Sequence, residues 1–121
     1  KVMNDVAKEL SHEEIKSVSA YLASLNPCDY PVTIETLGAN LTKGKRAARS
    51  CKSCHKKEGN TLNAPIIKRQ KTAYLIHSLN AFAAKTRKNS YMQGQAKLLD
   101  RTHNVGNVAA YMNAQDFCVV K

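Results

Sequence analysis

The sequence predicts an all-α fold. Helix-compatible stretches occur at about 41–54, 71–86, 92–98 and 103–114, and nothing between them alternates between apolar and polar residues as a strand would. The chain has 121 residues, the size of one ordinary domain. No apolar run approaches the roughly 18 residues that a transmembrane helix needs. We therefore expect a helical protein without a membrane-spanning segment in this chain.

The first 26 residues read as a helical segment with a clear start signal. Ser11 and Glu14 have the spacing of a capping box, in which each side chain bonds to the other residue's backbone. Apolar residues then recur at helical spacing until an Asn-Pro pair stops the pattern: Ile15, Val18, Leu22 and Leu25. Residues 27–40 hold two prolines and one glycine without a sustained period. They are predicted to link the helical segment to a domain at 41–121.

The sequence Cys-Lys-Ser-Cys-His at positions 51–55 is the most specific motif in the chain. Thiols three positions apart lie on neighbouring turns of a helix, so both can form thioethers with the two vinyl groups of one porphyrin, and His55 is then directed at the iron. This is the spacing of covalent c-type haem attachment. A zinc site would need two more ligands, and Cys28 and Cys118 lie far from the motif in the sequence. A thioredoxin-like redox pair would need a βαβ context that the sequence lacks.

A haem iron held by His55 needs a sixth ligand. The candidates are Met3, Met92, Met112, His12, His77 and His103. Met92 follows a basic turn and opens a helix, which allows its thioether to reach the distal face, so it is the predicted ligand. Met112 lies inside the last helix, where methionine commonly fills the core. His77 and His103 remain the alternatives. His/Met ligation fills both axial positions and favours a higher reduction potential than two imidazoles would.

Residues 41–115 resemble a class I cytochrome c domain, and the whole chain resembles the second half of a di-haem cytochrome c of the c-four type. The motif around the haem is matched by Gly44, Cys51, Cys54 and His55. The following segment is matched by Pro65, Ile67, Gln70, Tyr74 and Leu75, and the later one by Asn89, Met92, Ala96 and Leu99.

The resemblance implies roles for further residues. The Pro65 backbone carbonyl would accept a hydrogen bond from the His55 ring and fix its tautomer. Tyr74 would be another cofactor-binding residue. The chain departs from the family at Lys56, where a glycine commonly follows the haem histidine, and at "IKRQ" in place of "LAGQ". These departures predict altered contacts along the haem edge.

A weak internal repeat relates the two ends of the chain. With one inserted residue, the matched pairs are Met3 and Met92, Ala7 and Ala96, Ile15 and Val105, Val18 and Val108, Tyr21 and Tyr111, and Cys28 and Cys118. We interpret them as two copies of one C-terminal module, of which only the second follows a CxxCH motif. Residues 1–26 would then be the end of a preceding cytochrome domain, with Met3 as ligand of a second haem held there. The alternative is a mono-haem protein whose N-terminal helix packs on it.

Two cysteines remain outside the motif. Haem attachment of this kind resembles that of proteins matured outside the reducing cytosol, which makes a disulfide chemically permissible. Cys28 and Cys118 occupy equivalent points of the repeat, and a bond between them is predicted. Two separate buried thiols are the alternative.

Charge is distributed unevenly. The net charge is +10, yet residues 1–30 carry three lysines against five carboxylates, while residues 31–121 carry sixteen Lys and Arg against four. A basic domain attracts acidic partners. With seven aromatic residues and no recognition motif, nucleic acid is not the expected partner. A basic rim is predicted from Lys52, Lys56, Lys57, Lys68, Arg69, Lys85, Arg87 and Lys88.

Together these features predict an electron-transfer protein, not an enzyme, in the periplasm or another compartment outside the cytosol. Acidic redox proteins would be its donors and acceptors, a terminal oxidase or a dehydrogenase among them, and it would meet membranes only through partners. The alternative function is that of a cytochrome domain or subunit in a haem-containing dehydrogenase or other redox enzyme complex.

Overall fold

Helices account for the regular structure in the part of the chain that the computed structural model describes, which comprises residues 1–56, 63–116 and 118. No strand occurs in these residues, so the all-α prediction is confirmed. The helices are α1 Val2–Lys8, α2 His12–Ser24, α3 Leu41–Ala47, α4 Arg49–Cys54, α5 Thr72–Ala83, α6 Ser90–Arg101 and α7 Val105–Ala114, with a 3₁₀ turn at Pro27–Asp29. None of these helices is both long and apolar enough to cross a membrane.

The predicted helical stretches have different bounds in the structure: 71–86 is shorter as α5 and 103–114 begins later as α7, while the other two differ more. The stretch at 41–54 consists of two helices, because Ala48 ends α3 and also precedes α4. The stretch at 92–98 belongs to a longer helix that begins at Ser90. The Asn89 side chain accepts a hydrogen bond from the Met92 amide at 3.0 Å and so caps the first turn.

The chain divides into two compact units, an N-terminal unit Lys1–Pro31 and a C-terminal unit Val32–Lys121. In the N-terminal unit the predicted capping box of α2 is present. Ser11 Oγ accepts from the Glu14 amide at 3.1 Å, and Glu14 Oε1 accepts from the Ser11 amide at 2.9 Å. These bonds satisfy donors that the first turn of the helix would otherwise leave unpaired. No residue of α1 or α2 is buried.

Helix α7 lies at the centre of the C-terminal unit. It packs against α3 and α5, and α5 also packs against α6. The buried apolar residues of the core cluster are Ala48, Leu75, Leu99, Val108, Ala109, Tyr111 and Met112. Helices α3 and α7 approach closely at Gly44: a Cβ atom there would overlap the Asn107 carbonyl and lie 2.9 Å from Tyr111 Cβ. Only glycine fits this contact without displacement.

The second half of the predicted linker is attached to the C-terminal unit through a buried amide. Asn113 Nδ2 donates to the Thr33 and Gln70 carbonyls at 3.2 and 2.9 Å, and its Oδ1 accepts from the Glu35 amide at 2.8 Å. Thr72 Oγ1 donates to the Glu35 carbonyl at 2.6 Å. Satisfied polar groups of this kind are costly to disturb because the partners left behind would be buried without hydrogen bonds. This part of the segment is therefore held against the helices.

Candidate cofactor cavity

A cavity of about 900 Å³ opens in the C-terminal unit, within the size range of cofactor and ligand clefts. It is lined by parts of α4, α5, α6 and α7, by residues 63–65 and 67, and by the turn that precedes α6. Its apolar lining residues include Leu75, Leu79, Phe82, Leu99 and Val108. A flat apolar molecule placed here would be shielded from water on several sides.

Both cysteines of the motif line this cavity. Cys51 and Cys54 are free thiols on α4, three positions apart, so the helix presents them on one face. Burial raises the pKa of the Cys51 thiol, because the low-dielectric surroundings disfavour the thiolate. Cys51 is therefore protonated at neutral pH and is a weaker nucleophile than an exposed cysteine would be.

His55 follows directly at the end of α4 and is buried against the cavity. Its Nδ1 atom lies 2.6 Å from the Pro65 carbonyl oxygen, so the predicted contact between these residues is present. Because a carbonyl oxygen can only accept, Nδ1 carries the proton and donates it to Pro65. The other ring nitrogen, Nε2, is left with a lone pair that can bind a metal.

Among the six candidates for a sixth ligand, two methionines line the cavity and the histidines do not. Met92 lies in the capped first turn of α6 and is partly exposed. Met112 is fully buried in the core cluster, where it contributes to packing. His77 and His103 are exposed on the surface. Met3 belongs to the N-terminal unit and is 71% exposed.

A polar group lies at another part of the lining, formed by Tyr74, Ser78 and Arg87. Arg87 Nη1 donates to Ser78 Oγ at 3.2 Å, and the guanidinium lies 4.7 Å from the centre of the Phe82 ring. A hydrogen bond with Ser78, and a further one with Arg87, lower the pKa of the Tyr74 hydroxyl. The cation and the two hydroxyls could together hold a carboxylate of a bound cofactor.

Sequence reasoning identified Tyr74 and Arg87 separately but missed Ser78. The spacing of Tyr74 and Ser78 on one helix was the available signal, because residues four apart are neighbours on a helix surface. Arg87 comes from the turn beyond α5, and the sequence contained no indication that it folds back onto this helix.

The predicted basic rim is not one uniform surface. Arg87 and Lys88 line the cavity. Lys52 donates a hydrogen bond within the C-terminal unit, and Arg69 forms an ion pair with Asp116 at 3.3 Å. Lys57 lies outside the described residues.

Cys28 and Cys118 are both disulfide-bonded, so neither thiolate is available to a zinc ion. Within residues 1–56, 63–116 and 118, no group of three or more His, Cys, Asp and Glu side chains could hold a metal ion. No protein-family model matches the chain, and no curated protein matches it.

Proposed function

We propose that the cavity holds one covalently attached c-type haem and that the protein transfers single electrons. The observation that carries the proposal is that Cys51, Cys54, His55 and Met92 line one largely apolar cavity. The two thiols would form the thioethers, while the His55 imidazole and the Met92 thioether would be the axial ligands. An imidazole and a thioether are suitable donors for haem iron.

The protein's own residues would orient and protect the group. The Pro65 carbonyl holds the His55 ring in the tautomer that leaves Nε2 available. Tyr74 and Arg87 would offer hydrogen bonds to carboxylates of the group, and the apolar residues of the lining would limit the access of water to it. When bound, the haem supplies the one-electron ferric/ferrous couple. Because His55 and Met92 would both bind the iron, electron transfer would be favoured over substrate binding.

The proposed architecture is a class I cytochrome c fold in the C-terminal unit. Its support is the close approach of α3 and α7 at Gly44, the position that the resemblance to this family singles out, together with the four cavity residues. Basic side chains would attract acidic redox proteins as donors and acceptors. The disulfide-bonded state of Cys28 and Cys118 supports a periplasmic or other oxidising location.

The N-terminal unit would belong to a preceding haem domain of a di-haem protein. Helices α1 and α2 bury none of their residues, although they carry several apolar side chains. The exposed large apolar residues of these helices are Val2, Met3, Val6, Ile15, Val18, Tyr21 and Leu22. An amphipathic helix gains most of its stability by covering such residues, and a further domain would cover them.

The test is the double substitution Cys51→Ser/Cys54→Ser in the protein produced in an oxidising compartment with haem-attachment machinery. Acidic acetone should leave colour with the native protein and none with the double variant, because no thioether can form without the sulfurs. Ser53→Ala is the matched control on the same helix and should keep the covalent adduct. Release of free haem from the native protein, or no haem in it at all, would reject the proposal.

A further inference from the structure

A second, smaller cleft of about 310 Å³ lies between side chains of α3 and α4. It is lined by Thr42, Lys45, Arg46, Arg49 and Lys52. Four of these five residues are cations and none is acidic, whereas the larger cavity is lined mainly by apolar residues. A concave site with this lining has the charge and shape to hold a compact anion.

The cleft is separate from the proposed haem cavity, because no lining residue is common to both. Helix α4 contributes to the two sites through different faces. Cys51 and Cys54 line the cavity, while Arg49 and Lys52, also three positions apart, line the cleft. The helix therefore lies between an apolar site and a cationic one.

The cations of the cleft have no acidic partner within the part of the chain that the structure describes. Among the residues that the structure describes, no carboxylate forms an ion pair with Lys45, Arg46, Arg49 or Lys52. Like charges held close together repel one another, and a bound anion would relieve that repulsion.

One of the four cations is already held in place. Lys52 Nζ donates to the Tyr111 hydroxyl at 2.7 Å and lies 4.9 Å from the centre of that ring. An ammonium has three N–H donors, so this bond leaves two for a ligand. A side chain ordered before binding loses less conformational entropy when the ligand arrives.

We propose that this cleft binds a small oligophosphate, such as pyrophosphate or a triphosphate group. Arg46 and Arg49 carry planar guanidinium forks that match two phosphate oxygens at once. Four clustered cations favour an ion of high charge over a monovalent one. The cleft is at the small end of ligand sites, which suits a phosphate chain better than the broad surface of an acidic protein. This site does not depend on the haem proposal.

The test is calorimetric titration of the 121-residue chain with inorganic tripolyphosphate near physiological ionic strength. The double variant Arg46→Gln/Arg49→Gln should bind at least about tenfold more weakly, because it loses the charged hydrogen bonds of two guanidinium groups to the phosphate oxygens. The matched control Lys97→Gln/Arg101→Gln removes the same charge from α6, outside the cleft. It should stay within about threefold of the native affinity, since exposed distant charges are screened.

Three results would overturn the proposal. One is the absence of binding by the native protein, and another is equal weakening in both double variants, which would indicate attraction by net charge alone. The third concerns phosphate presented by a lipid. Sedimentation with phosphatidylcholine vesicles that contain phosphatidic acid, without binding of tripolyphosphate, would show that the cleft takes a membrane headgroup instead. Circular dichroism of both variants establishes that each is folded before the titrations are compared.

Discussion

The helix pairs α1–α2 and α6–α7 carry related sequence patterns but differ completely in burial. Val18 is 44% exposed, whereas its counterpart Val108 is 2% exposed. Tyr21 is 64% exposed and Tyr111 only 8%. The residues of α7 are buried because α3 and α5 pack against this helix. No residue of α1 or α2 is buried. An apolar pattern therefore predicts which face of a helix can be buried. Whether that face is buried depends on the other helices that pack against it.

The largest expected difference between the helix pairs α1–α2 and α6–α7 is the effect of replacing Met3 or Met92 on the absorption spectrum. This prediction rests on the proposed haem. Met92→Ala should abolish the sulfur-to-iron charge-transfer absorption of the ferric protein and open the iron to small ligands such as cyanide. Met3→Ala should leave that spectrum unchanged, because Met3 lies in the N-terminal unit. Absorption spectra with and without cyanide make the measurement. Persistence of the band in Met92→Ala would remove Met92 as the ligand.

Substitutions of Tyr111 and of its counterpart Tyr21 test the difference in burial by its effect on stability. Tyr111→Ala should lower the free energy of unfolding by about 3–5 kcal/mol, as large-to-small aromatic substitutions in a core do. It also removes the hydroxyl that accepts from Lys52. Tyr21→Ala should change stability by no more than about 0.5 kcal/mol, because the ring is mostly exposed.

Urea denaturation of the two tyrosine variants gives both values. Equal losses of unfolding free energy in the two variants would mean that Tyr21 is buried in solution, and the difference in burial between Tyr21 and Tyr111 would then be wrong.

Substitutions of Gly44 and Gly94 compare a glycine in a helix contact with a glycine on an exposed helix surface. Gly44→Ala should destabilise the protein by about 1–3 kcal/mol, because the added methyl group meets the backbone of α7. Gly94→Ala, in the exposed part of α6, should instead stabilise it by about 0.5–1 kcal/mol, since nothing lies within 4 Å and alanine favours a helix. Thermal or urea unfolding should show shifts of opposite sign. A neutral Gly44→Ala would contradict the close approach of α3 and α7.

The smallest expected effect is a pH dependence of α2. A hydrogen bond from the Ser11 backbone, and another with its side chain, lower the pKa of the Glu14 carboxyl. Since the folded pKa lies below the unfolded one, the stabilisation is present above the unfolded pKa and is lost as the pH falls through the folded value. The protection factors of the α2 amides, which correct for the pH dependence of intrinsic exchange, should therefore fall on acidification.

Glu14→Gln should flatten this pH dependence, because glutamine can form the same capping box but does not titrate in this range. Glu13→Gln is the matched control and should retain it. An unchanged pH profile in Glu14→Gln would assign the effect to other groups.

Local features of the sequence predicted the structure well where nearby residues act on one another. The Ser11 and Glu14 capping box needs only four consecutive residues, and both of its bonds are present. The helix bounds were less accurate. Asn89 starts α6 earlier than its apolar pattern suggested, because a cap depends on one side chain and not on periodicity.

Longer-range features were predicted only where a motif pointed to them. The contact between His55 and the Pro65 carbonyl was expected from the resemblance to class I cytochromes c, and it is present. Asn113 gave no such signal. A polar residue in the last helix is expected to be exposed, yet Asn113 is buried and forms hydrogen bonds with three residues in two segments distant from it in the sequence. Its importance depends on partners that are distant in the sequence.

By itself, the sequence determined the helical class, the capping box of α2 and the spacing of the Cys51, Cys54 and His55 motif. These follow from residues close together in the chain, where side chains and backbone meet within one or two turns. Only the tertiary structure decided that Met92 shares a cavity with this motif, that Ser78 meets Arg87, and that the cations of α3 and α4 form a cleft. Such groupings depend on how helices pack, because packing brings together side chains whose separation in the sequence carries no periodic signal.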